Sequence, residues 1–307
     1  MTFSFNPPDG YRNTTSFPTT PASETAFRDS MQSLLDQLAA ELNSGGSSAI
    51  GMSGILRQGI INGNFLVNQR SKLGTVILAA GAYGHDRFKA GASGCTYTFT
   101  TTGGESILTI TAGSLQQVIE GTSLQSGNYT LSWQGTATGR INGGAYAASG
   151  ITALLPGGTN VTVEFGVGTL SRVQFNAGLS AMPFQPRSFA EELALCQRYY
   201  QTCYTTGFVP VQKLDNAAGE VASAETTGLA STKVNFFTRM RIAPTTIVYD
   251  YNGSPGKVST AFAANSIGTT VLANRITDAG FTGISDGANP FTVGTKYWFG
   301  WTADAEL

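Results

Sequence analysis

His85 and Asp86 are the only adjacent acid–base pair of the kind general catalysis uses, because the 307-residue chain holds a single histidine. Neighbouring residues on an extended segment point to opposite sides, so these two are not expected to form a hydrogen-bonded dyad. No Gly-x-Ser-x-Gly elbow accompanies them. Cys95 sits in a glycine-flanked stretch with strand character, and His85 is its sole partner if it acts as a nucleophile. Cys196 and Cys203 fall two turns apart on a helical stripe and read as packed thiols; three cysteines make no disulfide framework. One histidine excludes a His-based metal site within one chain. Neither a Walker sequence nor a strand–Gly-x-Gly-x-x-Gly–helix unit is present, and Thr102-Gly103-Gly104-Glu105 and Gly157-Gly158 read as turns. Glycoside cleavage needs two facing carboxylates. The β-rich regions carry only isolated acids, among them Glu105, Glu120, Glu164, Asp250 and Asp304, and spacing pairs none of them.

Aromatic side chains are the better functional candidates, since flat rings stack on the apolar faces of sugars while amides and carboxylates bind the hydroxyls. Trp133, Tyr146 and Trp298 are the candidate platforms for a ligand. Trp301 is less suited, because alternation places Tyr297, Phe299 and Trp301 on one face of the last strand and Trp298 on the other.

The elements that would position these residues are mostly strands. Cys95–Thr100, Ile107–Thr111, Tyr129–Trp133, Val161–Phe165 and Arg172–Phe175 are β-rich runs separated by glycine turns. Without crossover helices, such a series predicts an antiparallel sandwich or jelly roll over 49–187. Ser188 and Glu191 form a capping box that opens a helix, with Phe189, Leu193, Cys196, Tyr200 and Cys203 on one face. Further β-runs follow, with a turn at Asn252-Gly253, so 188–307 reads as a capped helix and a smaller β domain.

The front of the chain differs. Residues 1–20 carry Pro7, Pro8 and Pro18 and read as an extended arm whose anchors are Phe3, Phe5, Tyr11 and Phe17. Such an arm is either unfolded or laid into a groove on another subunit, and four aromatics in so short a stretch favour docking. Residues 21–48 hold a helix, with Pro21 at its first position, and then the linker Asn43-Ser44-Gly45-Gly46-Ser47-Ser48. Phe27, Met31, Leu34 and Leu38 recur at coiled-coil spacing. The helix either lies on its own domain or self-associates; the linker that fences it off favours self-association.

Charge and hydropathy limit the partners. Charged residues are 12% of the chain and the net charge is −1, so no basic field gathers nucleic acid or anionic lipid. Apolar runs such as Thr75–Ala80 are too short to span a bilayer, so no membrane insertion is expected. Met1–Asn6 has neither a basic nor a long apolar segment, so no secretory signal is expected.

Three segments resemble a bacteriophage tail-fibre and receptor-binding family. The first is Ile61-Asn62-Gly63-Asn64-Phe65-Leu66-Val67-Asn68-Gln69-Arg70 with the later Tyr83-Gly84-His85-Asp86-Arg87-Phe88. The second is Phe184-Gln185-Pro186-Arg187 running into Glu192-Leu193-Ala194-Leu195-Cys196-Gln197-Arg198-Tyr199-Tyr200-Gln201. The third is Trp301-Thr302-Ala303-Asp304-Ala305-Glu306-Leu307, and the leading Gly10-Tyr11-Arg12-Asn13 region is similar to virion-attachment heads. Asn68 and Phe88 stand where the family commonly has Trp, and His85 where it has Ala. The resemblance implies a virion-located structural fibre: a homotrimer with a carbohydrate-module-like jelly roll, without catalysis or cofactor. It would attach to tail, neck or portal-adaptor proteins through its arm and meet host surface glycans through its β domains. The alternatives it leaves are a non-receptor neck, collar or capsid fibre, and a polysaccharide-degrading tailspike, which would be longer and show a repetitive β-helix texture.

Overall fold

The structure is a computed structural model, and it describes residues 31–33, 36, 58–205, 207–208, 219–260 and 266–307. The chain divides into the units Met1–Gly51 and Met52–Leu307. In the first, Met31, Gln32, Ser33 and Asp36 are helical and exposed, and Gln32 Nε2 donates to Asp36 Oδ1 at 2.9 Å. Phe27, Leu34 and Leu38 lie outside the described residues, as do the arm anchors Phe3, Phe5, Tyr11 and Phe17.

The second unit is mainly β, with two antiparallel sheets, as the strand-and-turn texture requires. Its first sheet contains β1 (Val76–Leu78), β2 (Lys89–Thr102), β3 (Glu105–Ile119), β4 (Gly127–Gln134), β5 (Gly139–Ile141), β6 (Ile151–Leu155), β7 (Val161–Phe165) and β8 (Gly168–Ala177). Its axis is the β2–β3 hairpin, turned by Gly103 and Gly104 at φ of 62° and 82°, which glycine adopts without strain. Gly113 lets the same two strands close up, because a Cβ there would lie 2.0 Å from the Gly94 carbonyl oxygen. Beyond it β3 changes neighbour. Leu108–Ile110 pairs with β8, and Leu115–Ile119 pairs with β7. The sheet therefore forks, one branch running to β5 and the other through β4 to β6. Between the branches lies an apolar core that includes Phe65, Phe88, Tyr97, Leu108, Phe165 and Phe175. Alternation along β3 sends Leu108 and Ile110 inward and leaves Ile107 43% exposed.

The helix α1 (Phe189–Gln197) follows, and both halves of its capping box form: Glu191 N donates to Ser188 Oγ, and the Ser188 N–H donates to Glu191 Oε2 at 2.9 Å. The helical stripe expected from sequence is shorter than its spacing implied. Phe189 is half exposed, the buried helix residues are Glu192 and Cys196, and Tyr200 lies in a strand. The reason is competition for backbone partners. β9 (Tyr200–Thr202) pairs with the last strand, and that ladder replaces further helical turns.

The second sheet adds β10 (Glu220–Ala224), β11 (Leu229–Asn235), β12 (Thr245–Tyr249), β13 (Val258–Thr260), β14 (Ser266–Ile267), β15 (Leu272–Ala273), β16 (Gly280–Ser285) and β17 (Lys296–Asp304). β17 is its spine, pairing with β10 and β13 near its start and with β9 and β12 near its end. Tyr297, Phe299 and Trp301 point into a second core, and Trp298 faces the other way, half buried.

Candidate functional site

The motif segments, far apart in sequence, fold onto one buried polar joint. Asn62 takes φ of 62°, a left-handed conformation that Asn tolerates. Its side chain donates to the carbonyls of Val67 (2.8 Å) and Asp86 (3.1 Å) and accepts from Val67 N at 2.9 Å. Its own N–H donates to Glu192 on α1. Gly63 is required beside it, since a Cβ would sit 2.1 Å from the Val173 carbonyl oxygen. Asp86 then receives Gln69 N at 2.6 Å and Gln69 Nε2 at 2.7 Å, and that same amide reaches the Tyr200 carbonyl at 3.0 Å.

Two arginines hold the end of the chain against the sandwich. Arg70 bridges Asp304 (3.1 Å) and Glu306 (3.3 Å), with its guanidinium 3.8 Å from the centre of the Tyr200 ring. Arg87 pairs with Glu306, donates to the Val118 carbonyl at 2.7 Å and stacks 3.4 Å from the Tyr199 ring centre. Tyr83 Oη and Lys89 Nζ both donate to the Leu307 carbonyl at 2.6 Å. Burial works against the Arg70 charge, but Glu306, Asp86 and Asp304 outweigh it and raise its pKa. Burial also pushes Glu306 and Asp86 above the ordinary carboxylate range, against the pull of the arginines. Removing one partner from so dry a cluster strands the others, which typically costs about 3–5 kcal/mol.

Asn68, Phe88 and His85 all find local partners. Asn68 closes a turn, its side chain bonding both the carbonyl and the N–H of Lys72 at 2.9 Å. Phe88 is fully buried with its ring 4.6 Å from Phe65. His85 packs edge-on to Phe99 and its Nδ1 lies 2.9 Å from Tyr97 Oη.

The residues read as candidate chemistry are spread out. Burial, with Lys72 nearby, lowers the His85 pKa to about 4, so its imidazole is neutral near pH 7. Burial pushes the Cys95 and Cys203 thiols up to about 12 and holds Cys196 well above its ordinary value, so none is a thiolate at neutral pH. Several acids already hold a cation: Glu105 has Arg172, Glu120 has Arg198 and Glu164 has Arg140. Among the described residues no three of His, Cys, Asp and Glu converge on a metal-sized space.

Of the three aromatic platforms, Trp133 is a correction. It is 6% exposed, its ring packs edge-on to Phe165 at 5.3 Å, and Nε1 donates to the Ala137 carbonyl at 2.9 Å. Alternation with Thr130 and Ser132 already assigned it to the core face of β4 beside Leu131. Tyr146 is 41% exposed, but Arg140 covers its ring at 4.5 Å and its hydroxyl donates to Glu164 at 3.1 Å. Trp298 is half buried on β17, opposite Val221 and Ser259.

The site that sequence reasoning missed is a cleft of about 660 Å³ between the first sheet and α1. Its walls include Ile61, Ile119 and Leu195, and Thr122, Ser123 and Tyr129 also line it. Tyr129 is its fixed aromatic surface: the ring stacks on Phe175 at 5.1 Å with an interplanar angle of 4°, and Gln125 N and O both bond its hydroxyl. No signal in the sequence joins these elements, because they come from five separate segments between Gln58 and Tyr199. The fold and its joint define a two-core antiparallel β protein whose three motif segments build an internal seam. No family model, curated protein or solved structure matches the chain.

Proposed function

We propose that this chain is a bacteriophage virion fibre protein of the tail-fibre or receptor-binding kind. The N-terminal arm docks on the particle, against tail, neck or portal-adaptor proteins. The following helix gathers three copies, and the β unit projects outward to meet host surface glycans. Weak contacts then multiply through the copies on one particle, so attachment comes from avidity rather than from one tight site. No catalytic step or cofactor enters this reading.

One observation supports it above the rest. Asn62, Gln69, Asp86 and Arg87 of the first motif, Glu192 and Tyr199 of the second, and Glu306 of the third meet in one buried network. Short motifs matched by chance would have no reason to converge. A rigid coupling of two β modules also suits a part that must transmit the force of attachment.

The test is antibody labelling of virions of the phage that encodes the chain, together with adsorption in the presence of the purified protein. Label at the tail tip and competition for adsorption are expected. Label at the neck, collar or capsid with unimpaired adsorption selects the non-receptor fibre. Virions that carry no label retire both. New reducing ends from host polysaccharide incubated with the protein would favour the tailspike reading.

A further inference from the structure

We propose that the cleft between Tyr129 and helix α1 binds a neutral saccharide, with one pyranose ring laid on Tyr129. This rests on the reading of the chain as a glycan-contacting protein and names where that contact is made.

The electrostatics of the walls point to an uncharged ligand. Arg87 is paired with Glu306, Arg187 with Glu192, and Glu120 with Arg198, so each ionic group that lines the cleft is already matched. A bound phosphate or carboxylate would have to compete with these pairs. The remaining lining mixes apolar side chains with hydroxyls and amides, Thr122, Ser123 and Gln125 being exposed. That mixture matches a sugar, which has apolar C–H faces and a rim of hydroxyls.

Tyr129 supplies the flat surface. Phe175 backs one face of its ring and the Gln125 backbone pins its hydroxyl from two sides, so little side-chain freedom remains to be lost on stacking. Tyr129 is only partly buried where it lines the cleft. The volume falls in the range of sites for small ligands, roughly 300–1,000 Å³.

The exposed platform read from the sequence fits less well. Tyr146 already has Arg140 across its ring and Glu164 on its hydroxyl, and both of those are bonded to each other.

The full-length protein is titrated with methyl glycosides of glucose, galactose, mannose, rhamnose and N-acetylglucosamine, followed by saturation-transfer NMR and calorimetry. At least one glycoside is expected to bind in the millimolar range. Tyr129→Ala should weaken it about tenfold, the size of one lost ring contact. Ser123→Trp, at the exposed rim, should block the cleft and abolish binding while the near-ultraviolet circular dichroism stays unchanged, which separates occlusion from misfolding. Tyr146→Ala and Trp298→Ala should bind as the parent does. Binding that survives Ser123→Trp, or that is lost only in Tyr146→Ala or Trp298→Ala, overturns the cleft and leaves the glycan-contact reading standing. If no glycoside binds the parent, the saccharide assignment is overturned, whereas the fibre reading stands or falls separately on virion labelling and adsorption.

Discussion

The first core and the Asp86–Arg87 centre of the charged joint are both dry but respond differently to change. Phe88, Tyr97, Leu108 and Phe165 are at 0% exposure, and so is Asp86, with Arg87 at 2%. In the core, contact is non-directional, and a neighbour of similar volume can take over much of it. In the joint, each group answers to a specific charge or hydrogen bond, so a change of the same size leaves another group desolvated and unpaired. The core therefore sets how stable the sandwich is, and the joint fixes which parts of the chain meet.

The sharpest way to break that contrast is Glu306→Ala. It strands Arg87, leaves Arg70 with Asp304 and Asp86, and is expected to cost about 3–5 kcal/mol in urea unfolding. A companion double replacement, Arg87→Met with Glu306→Leu, should recover a good part of that loss. A cost under about 1 kcal/mol for the single variant would make the joint an ordinary surface pair.

Leu108→Ala in the core should cost about 2–5 kcal/mol, and Leu108→Met under about 1.5 kcal/mol. The comparison sharpens if Arg87→Met, similar in length but uncharged, falls well outside the Leu108→Met range. Gly63→Ala comes next, at about 1–3 kcal/mol, because the added methyl must push the Val173 carbonyl away. Normal stability there would mean the β8 backbone is free to retreat.

The smallest effect is a pH slope, at most about 1.4 kcal/mol per pH unit for one proton. The folded-state pKa of Glu306 lies above its ordinary 4.5, chiefly through burial. The folded chain therefore keeps a proton that the unfolded chain has released, and stability falls as pH rises from 4.5 through the raised value. Glu164 has the opposite sign. Burial opposes its charge, but bonds from Ser114, Arg140 and Tyr146 win and hold its pKa below 4.5. Its contribution is lost as pH falls from 4.5 through the lowered value. Glu306→Gln should flatten the first slope and Glu164→Gln the second, in urea melts taken at a series of pH values; matching slopes in both variants would show the two carboxylates sharing one environment.

Much of the local architecture was legible before any coordinates. Gly103-Gly104 turns β2 into β3, Ser188 and Glu191 close their capping box, and Tyr297, Phe299 and Trp301 share the buried face of β17. Each depends on residues within a few positions of one another. Trp133 belongs to the core rather than to a platform, because strand period sets it on the same face as Leu131 whatever its ring could bind. The C-terminal half of the helical stripe failed for another reason: periodicity cannot register that β17 offers Tyr200–Thr202 a ladder.

The sequence by itself determined the antiparallel β class, the turns, the capped helix start and the single histidine, since period, turn chemistry and residue counts are local or compositional properties. Only the tertiary structure decided that Arg70 meets Glu306 across 236 positions, that Asn68 closes a turn with Lys72, and that Tyr129 borders a cleft with α1. Those facts depend on which distant surfaces exclude water together, and burial of that kind belongs to the assembled chain.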